Sequence, residues 1–166
     1  MPSQPASGPS GRPAVGVDLP LRRPEWDLLV RLPRTVLVSA CAGDDRVDAV
    51  AGVEAIAAGQ RSRALLVRGV VAAIFAEQLT DNDIDAAAAE PGTVLADCGR
   101  AARLLADRLG PDVALAYGEW LMDIAASVGR TAWHSRPIRL GDVEVQLAER
   151  RFVDGIAREL ARALHR

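Results

Sequence analysis

Two stretches of helical periodicity meet at Gly110-Pro111, and this junction constrains the chain more than any other feature. From Thr93 to Leu109, Val94, Leu95, Cys98, Ala101, Ala102, Leu105 and Leu109 recur on one helical face. Over about residues 112–128, Val113, Tyr117, Trp120, Leu121, Ile124 and Val128 do the same. Glycine suits the left-handed backbone that ends a helix, and proline suits the first position of the next, where its missing N–H would have no partner anyway. So short a connection leaves no length for a crossover, so the two helices must fold back as antiparallel neighbours. Thr93 is expected to cap the first of them.

The rest of the chain reads the same way. Alanine fills 30 of the 166 positions and aromatic residues only 4%, so the core must be aliphatic and the elements mostly helical. Pro24 can open a helix at its first position. Pro33 then either kinks that helix or starts a second, carrying Val36, Leu37, Val38 and Ala40. A helix is expected over 46–58, stopped at Gly59. Ser62 would cap the next, Arg63 to Leu79, which is apolar on nearly all sides and so reads as the central helix of a bundle. Residues 80–92 form a polar connection. After the loop GRTAWHSRP, the segment IRL-GD-VEV alternates around Gly141-Asp142, which predicts a hairpin, with Asp142 as a helix N-cap the rival reading. The last helix, about 147–165, turns Val153, Ile156, Leu160 and Leu164 inward and Arg151, Arg158, Arg162 and Arg166 outward. Residues 1–24 hold six of the ten prolines among Gly and Ser, too few apolar groups to bury, and read as a disordered arm. The expected fold is all-α: a compact bundle of about six to seven helices over 25–166, a short hairpin near 138–146, and the arm.

Composition also removes several functions. With 20 basic and 22 acidic residues there is no basic excess, and Glu149, Asp154 and Glu159 dilute the arginine stripe of the last helix, so a nucleic-acid partner is not expected. The chain has no lysine, which excludes a GxxxxGK[ST] phosphate loop, and neither GxGxxG nor a GxSxG nucleophile turn occurs. Cys41 and Cys98 fall among apolar helical residues and read as two buried thiols. The first residues have no apolar signal segment, and no run approaches the ~20 residues needed to span a bilayer, so a cytoplasmic protein with no membrane partner is the expectation.

Three groups remain as candidate chemistry. Asp81–Asp85 begins like a calcium loop, but Ala86 and Gly92 stand where such a loop needs Gly and Glu, so capping is the better reading. Asp44, Asp45 and Asp48 cluster between two helices with Glu54 on the second, a set of hard oxygen ligands for a divalent cation, although Arg46 among them also fits an ordinary capped turn. Trp133, His134 and Arg136 share one loop and would line a ligand or enzyme site near 130–137.

The acidic turn carries a resemblance. VLVSACAGDDRVDAVAGVEAIAAG, with Asp44, Asp45 and Glu54, followed later by WLMDIAASVGRTA and GDVEVQLAERRFVDGIAREL, with Asp142 and Glu149, resembles the two helix–acidic turn–helix halves of tellurite-resistance TerB-like all-helical domains. The chain departs from that pattern in its GDD order and in Ser127-Val128-Gly129, where a second acidic turn would stand. The resemblance implies an all-α fold and a metal-sensing or stress-associated role. The functional expectation is a non-catalytic helical interaction module with a protein partner or self-association, and a divalent cation at the acidic turn. The alternative is a small helical enzyme or ligand-binding protein using the 130–137 loop.

Overall fold

The computed structural model describes residues 19–41, 49–77, 90–132 and 140–165. They form α1 (Arg23–Cys41), α2 (Ala49–Ala58), a 3-10 turn (Gly59–Arg61), α3 (Leu65–Glu77), α4 (Pro91–Leu109), α5 (Pro111–Ala132) and α6 (Leu140–Leu164). The protein is an all-α bundle, with no strand among the described residues. None of these helices is long and apolar enough to cross a membrane.

The antiparallel pair at Gly110-Pro111 forms as expected. Gly110 has φ 100°, a backbone that a side chain would strain, and its N–H bonds the Leu105 carbonyl at 3.0 Å. The N-cap of α4 differs from expectation. Glu90, not Thr93, holds it: the Glu90 carboxylate accepts the Thr93 N–H at 2.9 Å, with Pro91 next in line. The backbone amides of Gly92 and Thr93 hold that carboxyl below its ordinary range.

The hairpin expected near 138–146 is not found where the chain is described, because the backbone from Leu140 onward is already the start of α6. A hairpin of three-residue strands is marginal by itself, whereas each residue added to an existing helix gains one backbone hydrogen bond. The second correction concerns the centre of the bundle. α3 packs on α1, α5 and the 3-10 turn, and leaves Leu65 58% and Phe75 38% exposed. α5 is the central helix, in contact with α1, α2, α3, α4 and α6. A uniformly apolar helix wants neighbours on every side, but the 13 residues of α3 give a rod of only ~20 Å, while the 22 of α5 can meet five partners.

Pro33 neither ends α1 nor starts a new helix; α1 runs through it. A proline inside a helix leaves the carbonyl four residues earlier without its N–H donor, here that of Leu29. Tyr117 of α5 supplies the replacement. Its buried hydroxyl donates to the Leu29 carbonyl at 2.7 Å. One turn further along α5, Trp120 Nε1 donates at 3.2 Å to the Ala55 carbonyl in the last turn of α2. The two rings meet edge to face, with centroids 5.8 Å apart and planes at 68°. α5 thus fastens α1 and α2 through side-chain donors to their backbone carbonyls, and in α1 that carbonyl is one the helix cannot satisfy itself.

Ion pairs add direction. Glu25–Arg108 and Arg31–Asp97, each at 3.4 Å, run α1 antiparallel to α4. Asp97 is buried and also meets Arg100 at 3.4 Å. Leu19 and Leu21 pack against the core, so the folded part begins before Pro24.

Cys98 is fully buried and Cys41 half-buried. Burial, with the charges of Asp97 and Glu159 nearby, pushes the Cys98 thiol up to about 12. An unfolded thiol ionises near ~8.5, so above that pH the unfolded chain loses this proton first. The Cys98 contribution to stability should be level below about pH 8.5 and fall as pH rises toward 12. Tyr117, whose burial and then its Cys98 neighbour push the phenol well above its ordinary range, adds to the fall from ~pH 10. Urea midpoints between pH 7 and 11 check this: Cys98→Ala should flatten the first part of the decline, and a level wild-type profile to pH 11 would contradict it.

Candidate binding site

α2, the 3-10 turn and α5 leave a cleft of about 730 Å³ beside Trp120. Its floor is the indole edge, only 6% exposed and held by the Ala55 carbonyl. Gly59 lies directly on that ring. A Cβ there would come to 2.8 Å of the indole and of Val71, so only glycine lets the 3-10 turn approach so closely. Ala55, Ala58, Ala64 and Ala116 complete the apolar lining, and their short side chains keep the volume open.

The rim is charged. Arg61 and Arg63 come from the connection between α2 and α3, and Glu119 and Asp123 from α5. Glu119 and Asp123 bracket Trp120 at one-turn spacing. All four are exposed, and none forms an ion pair or side-chain hydrogen bond with another described residue. The Ser62 hydroxyl in the lining accepts the Ala64 N–H at 3.2 Å.

This arrangement suits binding. A guanidinium fork takes a carboxylate or phosphate, the two carboxylates take an ammonium or guanidinium, and an indole edge accepts an apolar stem between them. Among the described residues, no histidine or cysteine lines the cleft.

Of the residues singled out from sequence, Glu54 is exposed on α2. Asp44, Asp45, Asp48, Trp133, His134 and Arg136 lie outside the described residues, as does Asp81–Asp85. Asp142 and Glu149 sit on the helical backbone of α6. Among the described residues, no three His, Cys, Asp or Glu side chains come together as a metal site. The Trp120 cleft was missed by sequence reasoning. Its one local signal is the Glu119-Trp120-Asp123 spacing, and Gly59 and the arginines join it only through the fold.

No family model matches this chain, and neither the curated proteins nor the solved structures include a match to it.

Proposed function

We propose that this chain is a non-catalytic interaction module that holds a protein partner in the Trp120 cleft, by a segment carrying both an acidic and a basic side chain. The observation that carries this reading is two charge sets, Arg61 with Arg63 and Glu119 with Asp123, that no other described residue pairs, around a buried indole. Such groups recognise a partner by complementary charge, and aromatic and arginine side chains are the usual anchors of an interface.

The surrounding surface supports it. Among the described residues, the exposed large apolar ones include Val38 on α1, Val50 and Val53 on α2, Leu65 and Phe75 on α3, and Leu115 on α5. Among the described residues, α4 and α6 expose arginines instead, including Arg100, Arg103, Arg158 and Arg162. Exposed apolar surface bordered by polar groups is a mark of protein contact. A TerB-like kinship, a stress-associated role and a divalent cation at Asp44, Asp45, Asp48 and Glu54 belong to this proposal through the sequence pattern.

Photo-crosslinking in extract of the source cells tests it. A benzophenone side chain in place of Ala116, in the cleft wall, should capture a discrete partner, and one in place of Asp107, on α4, should not. Reversing the rim with Arg61→Glu and Arg63→Glu should abolish the adduct. No adduct from position 116, or one indifferent to the reversal, rejects the reading.

A further inference from the structure

Over the whole chain the charges nearly balance, 20 basic against 22 acidic, but the fold does not mix them evenly. Two close approaches set α6 against α4. A Cβ at Gly155 would meet the Leu95 side chain at 3.0 Å, and one at Gly99 would meet Glu159 Oε2 at 3.1 Å. Residues 95 and 99 thus face 155 and 159, so the two helices run side by side in the same direction. Buried Ala102 and Leu105 on α4, with Ile156 and Leu160 on α6, mark the core side of this seam. Arg100 and Arg103 fall on the opposite side of α4, and Arg158 and Arg162 on the opposite side of α6, all exposed. In this register the four lie within ~8 Å along the helix axes.

The acids of this face sit lower. Asp97 meets both Arg100 and, from the far flank of α4, Arg31 of α1, each at 3.4 Å. Glu159 Oε1 accepts from Arg162 Nη1 at 2.5 Å. The two carboxylate side chains are 11% and 25% exposed, whereas Arg100 and Arg162 are each 67% exposed. A carboxylate that holds one edge of a guanidinium steadies it and leaves its other N–H groups for solvent or a ligand. Glu159, which dilutes the arginine stripe along the sequence, therefore lies in the seam beneath it. Asp154 and Asp107 stand one turn outside the arginines, at opposite ends.

We propose that this α4–α6 face binds the phosphate backbone of a nucleic acid without reading its sequence. Guanidinium groups are favoured partners of phosphate oxygens. Among the described residues of α4, and of α6 from Arg150 on, no large apolar side chain is exposed. A protein interface needs such anchors near its centre, and a peripheral membrane site needs them to enter the lipid. No exposed Asn, Gln or aromatic stands there to read adenine or to stack on bases, so the backbone is the target. The face is separate from the Trp120 cleft, which none of these arginines lines.

Fluorescence anisotropy of the full chain with a labelled DNA duplex tests it. Contact with about four phosphates gives a log–log slope of affinity against salt of about −3.6. Arg103→Gln with Arg158→Gln removes two guanidiniums that no described carboxylate pairs. It should reduce the magnitude of the slope by about 2 and weaken binding at low salt at least ~10-fold, with unchanged far-UV circular dichroism. Arg103→Lys with Arg158→Lys keeps the charge and should keep most of the binding. Arg61→Gln with Arg63→Gln, on the cleft rim, should alter neither affinity nor slope. Four results overturn the proposal: no binding at about 20 mM salt, a slope indifferent to the 103 and 158 substitutions, an equal loss from the cleft pair, or binding to phosphatidylserine vesicles without binding to the duplex.

Discussion

Removing only the hydroxyl of Tyr117, as Tyr117→Phe, is expected to destabilise the fold by about 1–3 kcal/mol, because it strands the buried Leu29 carbonyl. Tyr117→Ala also empties the ring's place in the core and should cost at least ~3–5 kcal/mol, much of the 5–15 kcal/mol typical of a whole domain. The cause can be isolated with Pro33. Pro33→Ala returns an N–H to α1, in position to serve the same carbonyl. Tyr117→Phe should therefore cost markedly less in the Pro33→Ala background than alone. Urea denaturation of the four chains closes that double-mutant cycle. Equal costs in both backgrounds would show that the hydroxyl does not replace the proline's missing donor.

Trp120→Ala should have an effect of similar size, ~3–5 kcal/mol, by removing the ring that Gly59 and Tyr117 pack against. For a chain of this length that corresponds to a fall in Tm of roughly 6–20 °C. It would also open the floor of the cleft, so the crosslink from position 116 should disappear. Trp120→Phe separates the two roles. It keeps an aromatic floor and loses the bond to the Ala55 carbonyl, which borders the cleft and can turn to water. Its cost should be ~1 kcal/mol, with the crosslink retained. A Tm for Trp120→Ala within 2 °C of the parent would contradict the position given to this ring.

Much of the architecture was legible because helical periodicity is local. The faces of α4 and α5 could be read from apolar spacing, and Gly110-Pro111 placed them as antiparallel neighbours. The misreadings share a physical origin. Residues 140–146 alternate like a strand, but pairing two three-residue strands gains less than lengthening a helix that already exists. α3 is apolar on every side, which signals what it would bury but not how many neighbours can reach it. Glu90 was passed over as a cap because it precedes Pro91-Gly92, a pair that elsewhere ends helices. The candidate site was the least legible part. Its indole, glycine and arginines are unremarkable where they stand in the chain, and they become a cleft only because α5 lies against the end of α2.

By itself the sequence determined that this chain forms aliphatic helices, roughly where most of them run, and that a lysine-dependent phosphate loop is impossible. Those properties depend on side-chain propensity and on residues within a turn or two of each other. Only the tertiary structure decided that α5 is central, that Tyr117 completes α1 across from Pro33, and that charges of both signs gather around Trp120. These features join positions far apart in the chain, as 29 with 117 and 55 with 120. Whether a carbonyl is satisfied or a charge is paired depends on which side chain arrives from another helix, and no local pattern carries that information.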